Sequence, residues 1–181
     1  MTVQIDVRDL VRHPGSSRTL EFAEAIGGLR TELAYVPEDR PLGGRLLMES
    51  VVEGVLASGP LSGVMVLRCA RCLATTETEF SVEVQELFAP GVTADDDEYP
   101  LVEGILDLEP MIRDAVLLSM PLAPLCRPDC LGLCERCGGD RNAGECSCPP
   151  EVDPRWSPLI GLHLEEGPTH MDLGPGPAQR H

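Results

Sequence analysis

The chain has 181 residues, 43% apolar but only 3% aromatic, so one core built from Leu, Val, Ile and Met is within reach. It carries 30 acidic residues against 14 basic ones, a net of −16, and every basic residue is Arg, which excludes P-loop and Schiff-base chemistry that depends on Lys. The dense positive charge of an ordinary nucleic-acid binder is missing, and no apolar run reaches the roughly 18 residues of a membrane span.

The first ten residues alternate polar and apolar and include two Asp, unlike the basic start and apolar run of a signal peptide. A cytoplasmic protein is expected. Val3, Ile5 and Val7 read as a short strand, residues 13–17 as a turn, and residues 19–22 as a second strand. Residues 37–44, with two Pro and two Gly, read as a loop. Residues 46–56 and 61–67 are Leu- and Val-rich and are punctuated by Gly59-Pro60. Residues 76–88 form the clearest strand. Phe80, Val82, Val84 and Phe88 share one face, interrupted by Glu86, while Glu77, Glu79, Glu83 and Gln85 share the other. Three such runs in succession predict an antiparallel meander, with Cys69 and Cys72 at its last turn.

Asp95, Asp96, Asp97 and Glu98 lack the spaced ligands and Gly of an EF-hand and read as a solvated loop. Residues 107–119 predict a helix, with Asp107 as N-cap, Pro110 in the first turn and Pro121 beyond the end. Its apolar face is expected to be Leu108, Met111, Ile112, Ala115 and Leu118. Residues 153–162 read as a short helix or a turn, and residues 163–181 as a disordered tail. Charge is concentrated: residues 73–125 hold twelve Asp or Glu and one Arg, a local net of −11. Such a face reads either as solvated surface or as a dock for a basic protein.

The cysteines carry the strongest signal. Their pattern is Cys69-x2-Cys72, then Cys126-x3-Cys130-x3-Cys134-x2-Cys137-x8-Cys146-x-Cys148. Pairs two to four residues apart supply tetrahedral Zn2+ ligands from single turns, and eight thiolates make two complete sets. One partition takes Cys134, Cys137, Cys146 and Cys148 together, leaving Cys69, Cys72, Cys126 and Cys130 as a second site that clips the Cys-rich segment to the meander. Another groups Cys126, Cys130, Cys134 and Cys137. Disulfides fit a reducing compartment poorly, and the C-x2-C-x2-C run of an Fe–S protein is absent. A redox Cys-x-x-Cys is followed by a helix, whereas a strand is expected after Cys72. All four His lie outside the Cys clusters, and neither a zinc-hydrolase motif nor a nucleophile elbow is present, so no catalytic residue is nominated.

Residues 67–73, Leu-Arg-Cys-Ala-Arg-Cys-Leu, resemble the L-x-C-x-R-C-L motif of the YceD family. Residues 107–110 and 118–121 resemble that family's helix. Leu125-Cys126, Cys130-Leu-Gly-Leu-Cys134 and Cys137-Gly138 resemble its Cys-rich segment, and Asp153-Pro-Arg-Trp156 its closing motif. The resemblance covers about residues 3–162. It implies a non-enzymatic factor in 23S rRNA accumulation or processing and in biogenesis of the large ribosomal subunit. The alternative is a thiol-based redox or Fe–S electron-transfer protein.

The expected fold is mainly β (α+β): an antiparallel sheet or partly open barrel, one packed helix and a C-terminal Cys-rich zinc segment. The expected division is a β domain at 1–125, a zinc-binding segment packed on it at 126–162, and the tail. Two structural Zn2+ are expected. Expected partners are a large-subunit precursor, a basic ribosomal protein, or 23S rRNA within a particle. Naked nucleic acid should bind weakly, and no membrane is involved. Arg68, Arg71, Arg127 and Arg136 bracket the cysteines and either contact RNA phosphates or neutralise the thiolates.

Overall fold

The computed structural model describes residues 3–92, 98–149 and Arg155. The acidic residues 95–97, the rest of the segment at 153–162 and the tail at 163–181 lie outside the described residues. The chain divides into two compact units, Met1–Cys146 and Ser147–His181. Every element below belongs to the first.

Among the described residues eight strands and two helices follow in order: β1 (Gln4–Asp6), α1 (Arg8–Val11), β2 (Ser17–Glu24), β3 (Ala34–Tyr35), β4 (Leu42–Ser50), β5 (Val55–Arg68), β6 (Thr75–Ala89), β7 (Tyr99–Val102), β8 (Ile105–Asp107) and α2 (Glu109–Ser119). They form one curled, open sheet in the order β1-β8-β7-β6-β5-β4-β2, with β3 pairing separately to β5. All pairs are antiparallel except the two-residue contact of β6 with β7. Long β5 and β6 pair without interruption from Val55–Phe88 to Arg68–Thr75. Their tip holds the first cysteine pair.

The period of two decides which face is buried. Leu42, Leu46 and Met48 of β4, Val55, Ala57, Leu61 and Met65 of β5, and Val84 and Phe88 of β6 all belong to the core. Met111, Ile112 and Val116 of α2 join them. Each fully buried side chain of this size contributes about 1.5–3 kcal/mol. The N-cap of α2 is Leu108 and not Asp107 as expected; Asp107, one residue earlier, accepts a hydrogen bond from the Glu109 N–H at 3.0 Å, and Pro110 sits in the first turn. Among the described residues no helix is long and apolar enough to cross a membrane.

Several boundaries differ from the sequence expectation. The run at 46–56 is broken by a tight turn, in which Val51 and Gly54 exchange backbone hydrogen bonds of 2.9 and 3.3 Å. Gly59-Pro60 does not end a strand but lies inside β5. There the β4–β5 ladder skips Arg45 and Leu46, because Pro60 has no N–H to donate. A Cβ on Gly59 would collide with the Arg45 carbonyl, so the strands approach closely only because residue 59 has none. Gly43 and Gly44, read as loop, open β4. Strands β7 and β8 were hidden because their turn, Glu103-Gly104, lacks the usual Asn or Asp, yet both residues have positive φ (52° and 76°). In α2 the buried face turns towards Val116, and Leu118 is 87% exposed.

Candidate metal centre

Cys69 and Cys72 occupy the turn between β5 and β6. The Cys69 N–H donates to the Ala74 carbonyl at 2.8 Å, and the Leu73 N–H donates to the Cys69 carbonyl at 2.9 Å. Leu73 takes a left-handed φ of 62°, which folds the chain back behind the two sulfurs. The Arg71 N–H points at Cys69 Sγ, 3.4 Å away. After α2 the chain returns to this turn. Two backbone bonds fasten it there, Ala70 N–H to Pro124 O at 2.8 Å and Leu133 N–H to Arg71 O at 3.0 Å. They bring Cys126 and Cys130 opposite Cys69 and Cys72.

The four sulfurs lie within 4.8 Å of one another. Cys69 and Cys130 Sγ are 3.8 Å apart, and Cys72 and Cys126 Sγ are 3.6 Å apart. A tetrahedron with metal–sulfur bonds of about 2.3 Å has edges of about 3.8 Å, whereas a disulfide needs about 2.05 Å. The donor set therefore fits a four-thiolate metal. None of the eight cysteines forms a disulfide.

Cys134 and Cys137 repeat the same turn. The Cys134 N–H donates to Gly139 O at 2.9 Å, the Gly138 N–H donates to Cys134 O at 2.8 Å, and Gly138 has φ 72°. Here glycine occupies the left-handed position that Leu73 occupies in the first turn. The chain returns through an antiparallel bridge between Leu133 and Asp140 to Cys146 and, two residues on, Cys148. The sulfurs of Cys134, Cys137, Cys146 and Cys148 also lie within 4.8 Å of one another. Two four-cysteine groups that could hold metal ions are thus present.

The electrostatics point the same way. The Cys69 thiol is pulled down to about 6, first by the backbone N–H of Cys72 and then by that of Cys126. The Cys134 thiol is likewise pulled down to about 6, first by the Cys137 N–H and then by the Cys146 thiol. Cys126 is pushed up to about 12, first by its hydrogen bond with the Cys72 thiol and then by burial. Backbone N–H groups favour one thiolate in a group, and its sulfur neighbours then resist ionising. A cation is what allows four thiolates to sit together.

The four arginines nominated from sequence are all exposed. Arg71 donates to the Cys130 carbonyl at 2.9 Å. Arg127 donates to Asn142 Oδ1 at 2.7 Å and lies 3.5 Å from Asp129. These two brace the cysteine loops. Arg68 ends β5 beside the first turn, and Arg136 lies between Cys134 and Cys137.

Sequence reasoning missed Asn142. Its Oδ1 accepts from the Leu131 N–H at 2.8 Å as well as from Arg127. Its Nδ2 donates to Asp140 Oδ1 at 2.7 Å and faces Cys130 Sγ at 3.6 Å. It thereby links the loop between the two groups to a cysteine of the first. The only available signal was Asp140-x-Asn142, a common local turn pattern.

Residues 57–163 match the family described as large ribosomal RNA subunit accumulation protein YceD. An uncharacterized protein of Mycobacterium tuberculosis is 34% identical over 172 residues, covering 91% of this chain and 83% of that protein. An uncharacterized protein of Mycobacterium leprae is 32% identical over 173 residues, covering 92% and 80%. A chloroplastic large ribosomal RNA subunit accumulation protein YCED homolog 1 of Zea mays is 35% identical over 65 residues, covering 35% of this chain and 22% of that protein. No solved structure matches. The match covers all but the first two residues of the β5–β6 hairpin, α2 and all eight cysteines, and the chain belongs to the YceD family.

Proposed function

We propose that this protein is a non-enzymatic factor that promotes 23S rRNA accumulation or processing during assembly of the large ribosomal subunit, in the cytoplasm. The observation that carries the reading is the family match over residues 57–163, a stretch that contains both cysteine groups. Each group supplies four sulfurs, which fills a tetrahedral Zn2+ and leaves no coordination position for water or substrate. Zn2+ in such sites orders the chain around it and adds no reactive group. Cys69, Cys72, Cys126 and Cys130 would hold one ion, and Cys134, Cys137, Cys146 and Cys148 the other.

The partner is a large-subunit precursor, met through a basic ribosomal protein or through 23S rRNA already within a particle. The net of −11 over residues 73–125 disfavours naked RNA at physiological salt and favours a basic protein, because opposite charge steers encounter. Any direct phosphate contact falls to Arg68, Arg71, Arg127 or Arg136. A deletion strain tests the role: reduced 23S rRNA and a deficit of 50S particles are expected, and normal levels of both overturn the reading. Elemental analysis of protein purified without added metal tests the cofactor. Two zinc per chain is the expected result. Iron with visible absorbance would replace this reading with electron transfer.

A further inference from the structure

Strand β6 is fifteen residues long, yet only one of its edges is used along most of its length. On one side it pairs with β5 throughout, and on the other it meets β7 only at Phe88 and Ala89. Among the described residues nothing pairs with its second edge from Thr75 to Leu87. Thr75–Glu79 are exposed without exception, and Phe80 and Val82 on the core side are only half-buried. Half of the backbone N–H and C=O groups of this stretch therefore face outward, a ready template for another strand.

We propose that this edge, over Thr75–Glu83, binds an extended basic segment of a partner protein as one more strand of the sheet. The side-chain pattern specifies the occupant. Glu77, Glu79 and Glu83 line the outer face, and among the described residues only Glu77 has a cation partner, Arg40 at 3.0 Å. An added strand with Arg or Lys at alternate positions sets its charges beside Glu79 and Glu83. Its intervening apolar residues extend the half-filled row of Phe80 and Val82. A strand has period two, so one register satisfies both faces. Phosphate would meet the same carboxylates as repulsion, so the occupant is a peptide. Of the two strands that end the sheet, β1 is only three residues long, and β2 mixes Arg18 with Glu21 and Glu24 while the Arg18 guanidinium donates to the Asp6 carbonyl at 2.9 Å, so neither offers a long edge of a single sign. This inference rests on the biogenesis reading only for which protein carries the segment.

A fluorescent, end-capped peptide of alternating Arg and Val, about nine residues long to match the free edge, is the probe, with the full-length protein as receptor. Anisotropy is measured for the plain peptide and for two versions N-methylated on alternate amides in opposite phases. The plain peptide should bind, one methylated phase should bind about tenfold more weakly or worse, and the other should stay within about twofold. Combined Glu79→Gln and Glu83→Gln should weaken the plain peptide several-fold at low salt while leaving the fold unchanged, since both side chains are exposed. Equal binding of all three peptides would mean charge attraction without strand addition and would overturn the proposal, as would no binding of the plain peptide at low salt. The peptide result is independent of rRNA levels in a deletion strain, so the two readings fail separately.

Discussion

Two residues in equivalent positions show the backbone conformation that the two cysteine turns share. Leu73 and Gly138 each follow a Cys-x-x-Cys pair with φ near 60–70°, at 62° and 72°. A side chain there costs about 1–2 kcal/mol, most of all if β-branched. A Cβ on Gly138 would meet nothing within 4 Å, so the cost of a β-branched residue there is set by the left-handed φ and not by a clash at Cβ. Gly138→Val should lower metal affinity at the second group by about tenfold, whereas Leu73→Gly should stay within about 1 kcal/mol of wild type. Competition with a chromophoric chelator reads both; an unchanged affinity in Gly138→Val would show that the turn is held by something else. Tyr99 offers a second test at this scale. Burial first, then its hydrogen bond to Asp114 at 2.9 Å, raise its phenol above the usual tyrosine range. The fold holds the neutral form. Its contribution is therefore complete below the unfolded value of about 10 and is lost as pH rises through the elevated one. Absorbance titration should show one of the two tyrosines ionising late, and Tyr99→Phe should remove that phase. The cysteine spacing was legible because metal ligation needs short sequence intervals. Asn142 was not, because three of its four partners, Arg127, Cys130 and Leu131, are fixed by tertiary approach rather than by spacing.

At the level of elements, legibility followed periodicity. Strand β6 was readable because one of its faces is charged and the other apolar. Strands β7 and β8 were not, since four and three residues are too few for a period to show. The helix was found, but its face was misplaced by a fraction of a turn. Spacing of three and four allows either Leu118 or Val116, and contact with the sheet selects Val116. Ile112→Ala should therefore cost about 2–5 kcal/mol, as for other buried aliphatic truncations, while Leu118→Ala should fall within about 0.5 kcal/mol of wild type. Urea unfolding followed by circular dichroism distinguishes them. Comparable losses at both positions would place Leu118 in an interface that the single chain does not contain.

For the whole molecule, the question is what orders the cysteine-rich loops. Between Cys126 and Cys146 the only buried apolar side chain is Cys130, itself a member of the first cysteine group. Hydrophobic burial cannot hold these residues. A handful of backbone bonds and the Asn142 contacts cannot do so alone either, since each nets only about 1 kcal/mol in water. Structural Zn2+ contributes ~10–16 kcal/mol in small peptides, which is ample. The sheet is different, with a continuous core from Val7 to Met120 that includes none of the cysteines. The two parts should therefore separate on metal removal. A strong chelator should expose residues 126–148 to protease while the β-sheet signal persists. Cys126→Ser should leave one metal per chain and free the loops from the β5–β6 tip. Cys134→Ser should also leave one metal, but keep Cys126 and Cys130 docked at Cys69 and Cys72. Limited proteolysis with elemental analysis of the two variants reads this directly. Their cleavage patterns should differ at the first loop, 126–133, and agree at the second, 134–148. Identical patterns would mean that the two groups form a single cooperative centre. A chelator that leaves cleavage unchanged would mean that contacts other than metal ligation order the segment.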